Sequence, residues 1–523
     1  DLATHEVTFA DVLAVSETDA ERQRWQLLDR LSSQYLAELS RAGLSDQHHQ
    51  RRRAISRNEI RSSKRIALVG TSDLNESVAK VAAEVDRDLI SLIAAPQRQE
   101  SAFDWLGRLR SEAFAEYQLP LIDQQLLPAG DISDQAAAVS EVVSDFRSRF
   151  ETGEITVGTT DDSHVAPLEM ELDGCGLPTY RHVGWMISST AVGRLIELTT
   201  ALVARPTWRS LAALVRHGDV HRILRSQMED PDSEFLIDLD QLLANHFPVR
   251  LSDPLPPEAI KNLALSIQVR DRVIEWLSPL LGSREKKNSG SSLNTKPIAD
   301  WCVCVTEWLD SIYGDLSDEG SASINRHLSI EAVAKVRDLL TRFSKLSTHL
   351  DVDVSAAAAL ETLTGRVSDL RVGHEKRSGE VQIHGWLDLA LDDSPAIAVV
   401  GFNHPFVPSA VTSDPFLPGS LRSKLRIADN DRRYARDVYA MQLMLSTRKE
   451  TDVKFIVGKR SADGSPTPPS RLLAAADPSS IARRVRMLLD GSRDADKSSK
   501  RIENRPESSH LPIPTIDIEE CPV

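Results

Sequence analysis

The sequence predicts an α/β protein with parallel sheets and a large α-helical insert. Short, continuous apolar runs alternate with amphipathic stretches in the outer parts of the chain, for example at 66–70 and 396–401. Runs of this kind are typical of parallel strands that helices cover on both faces. Long helical periodicities dominate the middle of the sequence instead. With 523 residues the chain exceeds what one hydrophobic core usually holds, so two to four domains are expected.

The first part of the chain is predicted to begin with helices and to continue into an α/β region. Residues 1–60 carry helical periodicity, with apolar side chains three or four residues apart, and end in the basic run at 51–65. A strand, a helix and a second strand are predicted over 66–94, which together form a βαβ unit. The alternation continues with a helix at 135–150, a strand at 154–158, a helix at 167–173 and a short strand after Pro178.

The middle of the chain, from about 190 to 370, is predicted to be helical. Residues 282–296 interrupt it with a Ser, Asn, Gly and Lys rich segment that is predicted to be disordered. The α/β pattern then resumes. Because neither outer segment has enough strands for a covered parallel sheet, the two segments are expected to join. The later elements are strands at 380–384, 396–401 and 453–458 and a helix at 433–445.

The net charge and the cysteine content of the chain disfavour several classes of function. The net charge of −15 has the wrong sign for a protein that coats nucleic acid through its global field, so DNA contact would need local basic patches. The candidates are 51–65 and 422–460, although charge runs are more often solvated faces. No stretch approaches the roughly 20 apolar residues of a membrane helix, and no secretory signal is visible. Four scattered cysteines favour a reducing cytoplasm.

Two neighbouring segments near the C-terminus resemble helicase motifs. Residues 398–408 (AVVGFNHPFVP) resemble the strand and turn near motif V of the UvrD/RecBCD helicase superfamily, where a hydrophobic strand ends in a Gly-Leu-Asn-Glu-Gly-x-x-Pro type of sequence. Residues 429–433 (DNDRR), followed by 439–448 (YAMQLMLSTR), resemble a stretched motif VI. A strand at 455–457 and the sequence PPSRLL at 468–473 complete the succession.

This succession is similar to AddB-type subunits, the RecC-like partners in bacterial helicase–nuclease complexes of double-strand-break repair. The resemblance implies RecA-like lobes of the P-loop helicase type, and it implies that the chain is an internal fragment of such a subunit. The helical insert would then correspond to the family's accessory 2B subdomain. The domains expected under this resemblance are an incomplete first lobe (1–120), the first part of a second lobe (121–230), the helical insert (231–375), the second part of the second lobe (376–475) and a linker toward a further C-terminal domain (476–523).

The apolar run that begins at Ile66 takes the place of the Walker B strand in this resemblance. In active relatives that strand ends in two carboxylates, which hold Mg²⁺ and orient the attacking water. Gly70 and Thr71 stand at that position here, with Asp73 nearby. The chain contains no Gly-x-x-x-x-Gly-Lys-[Ser/Thr] phosphate loop. We therefore expect this chain neither to bind ATP tightly nor to hydrolyse it, and ATP with Mg²⁺ is expected only in a full-length protein.

The resemblance implies a subunit that guides or scans a DNA strand inside a complex that processes broken ends. Its expected partners are DNA and an AddA-like or RecB-like helicase–nuclease subunit. Two alternatives stay open at this point, namely a fragment of an active superfamily 1 ATP-dependent helicase and an α/β scaffold that binds protein only. The net charge favours the scaffold mildly, whereas the arginines of the motif VI-like segment favour DNA.

The candidate DNA-binding residues lie in and between the two motif-like segments, and no catalytic residue is predicted. Phe402 and Phe406 are candidates for stacking on bases, although packing in the core or in the turn is the commoner role of such rings. For Arg432, Arg433 and Arg448, the resemblance also allows remnants of the arginines that reach the γ-phosphate in active helicases, and ordinary helix-surface charge is a further alternative. The basic side chains expected to contact phosphates are Arg422, Lys424, Arg432, Arg433 and Arg448.

One further resemblance concerns the end of the sequence. Cys521 and Pro522 resemble the start of the family's iron–sulfur nuclease domain, whose cluster is held by cysteines. A plain linker is the alternative, and no PD-(D/E)XK nuclease core is evident in this chain. An iron–sulfur cluster is thus expected only in a full-length protein, and no metal site is predicted here.

Overall fold

The computed structural model shows an α/β protein with a six-stranded sheet. It describes residues 2–62, 64–85, 89–228, 234–281, 295–314, 324–345, 352–410 and 414–490. The chain divides into two compact units. Unit 1 takes the residues up to Tyr180 and those from Lys376 onward, and unit 2 spans Arg181–Glu375.

The strands of the described residues are short, and most lie in unit 1. In chain order they are β1 (Ile66–Val69), β2 (Leu89–Leu92), β3 (Leu126–Ala129), β4 (Ile155–Thr159), β5 (Thr179–Arg181), β6 (Trp185–Met186), β7 (Thr295–Pro297), β8 (Asp353–Ser355), β9 (Arg371–Val372), β10 (Val381–Gly385), β11 (Ala396–Val400) and β12 (Val453–Gly458).

Helices account for most of the remaining regular structure. In chain order they are α1 (Phe9–Val15), α2 (Asp19–Arg41), α3 (Gln47–Ser56), α4 (Glu76–Glu84), α5 (Ile132–Phe146), α6 (Val165–Gly174), α7 (Ala191–Ala204), α8 (Trp208–Val215), α9 (Gly218–Gln227), α10 (Phe235–His246), α11 (Pro257–Asn262), α12 (Ala264–Trp276), α13 (Ser278–Leu281), α14 (Ile298–Tyr313), α15 (Ile324–Phe343), α16 (Ala356–Val367), α17 (Gly419–Lys424), α18 (Asn430–Thr447) and α19 (Pro478–Asp490).

The sheet of unit 1 has the strand order β3-β12-β11-β4-β10-β5. Its central pairs are parallel, with β4 between β10 and β11 and β12 between β11 and β3. Every residue of β4 and β11 is buried, as the continuous apolar runs predict for strands covered on both faces. Strands from both sides of unit 2 in the sequence therefore share one sheet.

Alternate side chains of β11 enter two different cores. Ala396, Ala398 and Val400 pack with α5 and α6 on one face of the sheet. Ile397 and Val399 pack with α18 on the other face. This alternation follows from the two-residue period of a strand. It places the helix that follows β4 and the helix that follows β11 on opposite faces.

The chain leaves β4 and β11 in opposite directions along the sheet. After β4 it continues through α6 to β5, at one edge, whereas after β11 it continues through α18 to β12, toward the other edge. Two adjacent parallel strands that diverge in this way form a topological switch point, and a crevice opens outside their carboxyl ends. The sequence pattern does not reveal this crevice, because strand order depends on long-range pairing.

The N-terminal part of unit 1 is built from helices and a small sheet. Thr8 and Thr18 are the N-caps of α1 and α2. Each forms a capping box, in which the threonine side chain accepts from a backbone N–H of the first turn and a carboxylate of that turn accepts from the backbone N–H of the threonine. The predicted strands near 66–70 and 89–94 are confirmed as β1 and β2, which pair in parallel. Trp25 of α2 is buried with Leu417, Leu421 and Ile427.

Unit 2 is mostly helical. Helices α7 to α16 share one core that contains the buried Trp208, Trp301 and Trp308. Two short antiparallel pairs, β6 with β9 and β7 with β8, complete the unit. Helices α7 to α9 belong to this core, so the helical unit begins near Arg181. The domain boundary expected from the sequence lies later in the chain, at 230/231.

The end of the described chain differs from the linker expected at 476–523. Residues Pro478–Asp490 form α19, with Pro478 at its first position, where a missing N–H costs nothing. Leu488 is buried in the unit 1 core, and Arg484 donates to the carbonyl oxygens of Leu121 and Leu473. The first part of the expected linker is therefore a packed helix. Residues 491–523, including Cys521, and residues 282–294 lie outside the described residues.

Candidate functional site

The N-terminal end of α18 lies at the carboxyl ends of the parallel strands. We call this side of the sheet the carboxyl edge, and the opposite side the amino edge. The helix follows the loop that leaves β11, and it leads back to the start of β12. Asp429 caps it, accepting a hydrogen bond from the backbone N–H of Arg432. The positive end of the helix dipole therefore faces the same side as the strand ends.

Three arginines project from the first two turns of α18. Arg432, Arg433 and Arg436 stand at positions i, i+1 and i+4, so the first and the last share a helix face. Two of them converge on a hydroxyl, because Arg433 and Arg436 both donate to Oγ of Ser409, at 3.2 and 3.3 Å. Ser409 follows the turn that leaves β11. We call Ser409, Arg432, Arg433 and Arg436 the arginine cluster.

Asp73 neutralises two members of the arginine cluster. Its Oδ1 accepts from Nε of Arg432 at 2.8 Å, and its Oδ2 lies 3.5 Å from a guanidinium nitrogen of Arg436. Arg432 also donates to the carbonyl oxygen of Leu74 at 2.6 Å. Asp73 thus binds the loop after β1 to α18 through charge-assisted hydrogen bonds.

Arg433 is bonded differently from its neighbours. It forms no ion pair with any residue that the structure describes, and its buried Nε has no hydrogen-bond partner there. Burial lowers the pKa of Arg433, and the nearby guanidiniums of Arg436 and Arg422 lower it further. A half-buried cation held next to like charges, with only a hydroxyl as partner, leaves a surplus of positive charge at this edge.

Asp437 is the acid beside Arg436. Its side chain is buried and accepts from Nε of Arg436 at 3.0 Å. Burial raises the pKa of Asp437 above its usual range, and the charge of Arg436 opposes that rise only in part. The environment therefore disfavours the carboxylate form of Asp437.

A cleft of about 330 Å³ lies between the loop after β1 and α18. Gly70–Leu74 forms one wall, and Arg436 and Tyr439 contribute to the other. The residues do not fit Mg²⁺ and a nucleotide triphosphate. Gly70 and Thr71 offer no carboxylate, and both oxygens of Asp73 already contact arginines. The residues of this cleft therefore do not support ATP hydrolysis.

Comparisons with known proteins leave the family open. No protein-family model matches the chain, and no curated protein sequence matches it. A function for this chain therefore has to be inferred from the side chains at the carboxyl edge.

The described residues also bear on metals and membranes. Among them, no group of three or more His, Cys, Asp or Glu side chains is placed to hold a metal ion. Within the same residues, no helix is long and apolar enough to cross a membrane.

Two of the predicted DNA-binding residues lie on α17 and are engaged by other parts of the chain. Arg422 is buried and donates to Asp414 at 3.1 Å and to the carbonyl oxygen of Leu417 at 3.0 Å, so it holds the loop before α18. Lys424 is exposed and pairs with Glu17. Arg422 therefore has a structural role, and Lys424 forms an ion pair at the surface.

Arg448 and Phe402 are placed away from any open surface. Arg448 is buried at the C-terminal end of α18 and donates to the carbonyl oxygens of Ser394 and Asp392. Phe402 is fully buried, with its ring centroid 4.8 Å from that of Phe455. Phe406 is half-buried, and its ring meets His164 edge-on at 5.7 Å.

The structure thus brings together Arg432 and Arg433 of the predicted set and adds Arg436 and Ser409, which sequence reasoning missed. A signal for Arg436 exists, because it follows Arg432 by four residues and Arg433 by three on one helix. No signal marks Ser409, whose position depends on the path of the loop after β11.

Proposed function

We propose that this chain is a DNA-handling, helicase-like subunit of a double-strand-break-repair complex, and that it guides or scans a single strand without an ATPase of its own. Arg433 carries this proposal. Its guanidinium has no anionic partner among the described residues, and it lies beside a second arginine, a hydroxyl and the positive end of a helix. A phosphate oxygen is the ligand that this set of donors lacks.

The arginine cluster suits a phosphodiester for a geometric reason. Arg433 and Arg436 point at one atom, Oγ of Ser409, from two directions. A phosphate that displaces or joins this hydroxyl would accept from both guanidiniums and from the Ser409 O–H at once. Contacts of this type position a strand without reading its sequence.

The resemblance of 398–408 and 429–448 to helicase motifs V and VI extends the proposal. It supports a RecA-like assignment for the sheet of unit 1, an AddA-like or RecB-like partner subunit and a cytoplasmic site of action. The occupied oxygens of Asp73 support a role that does not hydrolyse ATP. Any ATP, Mg²⁺ or iron–sulfur cluster would belong to other parts of a full-length protein.

Fluorescence anisotropy with a labelled single-stranded oligonucleotide tests the proposal. Arg433→Glu removes a donor and adds a repelling charge, so binding at low salt should weaken by roughly tenfold to hundredfold. Arg342→Glu, an exposed position on α15 in unit 2, changes the net charge equally and serves as the matched control. It should change the affinity by less than about threefold.

Two other outcomes would replace the proposal. Absence of binding to single-stranded DNA at low salt would overturn the proposal and favour the protein-binding scaffold, since the phosphate contacts would be absent. DNA-stimulated ATP turnover of about 1 s⁻¹ or faster would identify an active helicase fragment instead. Equal affinities of Arg433→Glu and the unaltered chain would move the DNA site away from the arginine cluster.

A further inference from the structure

A second pocket opens at the switch point of the sheet, outside the carboxyl ends of β4 and β11. Its volume is about 210 Å³. Ser163 and His164 follow β4, whereas Asn403 and Phe406 follow β11, and the hairpin after β12 contributes Arg460. In open α/β sheets this crevice is where ligands bind, because adjacent strands diverge and leave a space between them.

The floor of the pocket is fixed by two buried amides. Asn403 donates to the carbonyl oxygen of Gly458 at 2.7 Å and accepts from the N–H of Gly458 at 2.9 Å. Gln135 of α5 accepts from the N–H of Gly401 at 3.1 Å. These bonds tie β11 to β12 and to α5, so the pocket keeps its shape without a ligand.

His164 and Phe406 form the wall that distinguishes this pocket. The two rings meet at 89° with centroids 5.7 Å apart. His164 is almost fully buried, and Nδ1 of its ring finds no well-aligned partner among the described residues, although the Asp161 backbone lies close. Burial lowers the pKa of His164, which favours the uncharged imidazole. A neutral imidazole beside a phenyl ring suits a planar, uncharged group.

The size and the charge of the pocket limit which planar ligands it can bind. The volume lies below the roughly 300–1,000 Å³ of pockets for drug-sized molecules, so it has room for about one ring system. Arg460 and Asp463 stand at the exposed hairpin and balance each other in charge. The pocket therefore has little net charge to hold a phosphate, whereas the half-buried ring of Phe406 gives a heterocycle an aromatic surface to stack on.

One loop connects this pocket to the arginine cluster. Phe406 and Ser409 are three residues apart, so their Cα atoms lie within about 11 Å of each other. We propose that the switch-point pocket takes one unstacked base of the same strand whose phosphate lies against Arg433 and Ser409. This inference rests on the proposed function, and it adds a base contact to the phosphate contact.

The test compares two probes and two variants by fluorescence anisotropy. The probes are a labelled single-stranded oligonucleotide and a strand with the same number of phosphates built from abasic units. The unaltered chain should bind the abasic strand roughly fivefold to hundredfold more weakly. Phe406→Leu keeps the apolar bulk but removes the aromatic face, so it should bind both strands with nearly equal affinity. Arg433→Glu should weaken both strands alike.

The outcomes separate this inference from the proposed function. If the unaltered chain binds both strands equally, and Arg433→Glu weakens both, the phosphate site stands and the base pocket is overturned. If Phe406→Leu retains the preference for bases, the bases are held elsewhere, and the inference also fails. Absence of binding to either strand at low salt overturns the proposed function and the inference together. The comparison of probes on the unaltered chain needs no variant, so a folding defect does not obscure it.

Discussion

In the six-stranded sheet, the charged side chains at the amino ends of the strands are bonded differently from those at the carboxyl ends. At the amino edge, Arg448 donates to the carbonyl oxygens of Asp392 and Ser394, and Asp392 in turn accepts from Oγ1 of Thr156 at 3.2 Å. Oγ1 of Thr156 also bonds Oγ of Ser394 at 2.8 Å. At the carboxyl edge, Arg433 has no carboxylate partner among the described residues, and a pocket opens there between the loops that follow β4 and β11.

This difference shows how the same residue type takes two roles on one helix. Arg448 follows the last residue of α18 and donates to the carbonyl oxygens of Ser394 and Asp392, which is a structural task. Arg433 begins α18 and lacks such partners, which leaves it available to a ligand. The amino edge is closed by its own hydrogen bonds, whereas at the carboxyl edge a hydroxyl, and no described carboxylate, is the partner of Arg433.

The largest expected effect contrasts the two phenylalanines of the loop after β11. Phe402→Ala should destabilise the protein by about 3–5 kcal/mol, because it removes a fully buried ring from the core. Phe406→Ala should cost about 1 kcal/mol or less, because that ring is half-exposed at the pocket. Urea unfolding followed by circular dichroism measures both. Similar losses for the two variants would contradict the distinction between core and pocket.

A similar contrast applies to the arginines. Arg448→Ala should cost about 3 kcal/mol, since it removes the guanidinium that pairs with the buried carboxylate of Asp392 and leaves only His384 beside it. Arg433→Ala should change the free energy of unfolding by about 0.5 kcal/mol or less, because it removes no ion pair. The same unfolding measurements apply. If Arg433→Ala proved as destabilising as Arg448→Ala, Arg433 would be a structural residue like Arg448.

A smaller effect is expected when the internal counter-ion is removed. Asp73→Asn keeps the size of the side chain but frees the charges of Arg432 and Arg436. Affinity for single-stranded DNA should rise by about twofold to fivefold at low salt and return to that of the unaltered chain at high salt. Anisotropy titrations at the two salt concentrations measure this change. A loss of affinity would show that Asp73 organises the site instead of competing for it.

The smallest effect concerns pH and Asp437. Because burial raises the pKa of Asp437 in the folded state, its stabilising contribution is present below the unfolded pKa of about 3.9 and is lost as the pH rises through the folded pKa. Asp437→Asn is neutral throughout. The stability of this variant relative to the unaltered chain should therefore increase from pH 4 to pH 7. A constant difference in the free energy of unfolding across this range would contradict the raised pKa.

The fold was predictable where burial is continuous along the chain. The apolar runs behind β4, β11 and β12 predict strands, and the structure has each of them within a few residues. Strand order and the switch point were not predictable, because they depend on pairings between distant segments. Helix α19 was not predicted, because its buried face is narrow and includes a charged residue, Arg484.

The site was predictable only in part, for a related reason. The motif VI-like pattern points to Arg432 and Arg433, but the same pattern includes Arg448, which the fold buries. Arg422 likewise looks basic and exposed in the sequence, yet the loop before α18 folds around it. Composition gives a side chain's charge, whereas only the tertiary structure decides whether that charge is already paired.

The salt dependence of DNA binding tests the central claim most directly. If Arg433 neutralises a phosphate, replacing it with Gln should release one counterion fewer, so the log–log slope of affinity against salt should become shallower by about 0.7. Arg448→Gln and Arg342→Gln, provided that both remain folded, should keep the slope of the unaltered chain. Anisotropy titrations over roughly 50 to 200 mM salt measure these slopes. A slope for Arg433→Gln equal to that of the unaltered chain would contradict the claim that the carboxyl edge holds the strand through Arg433.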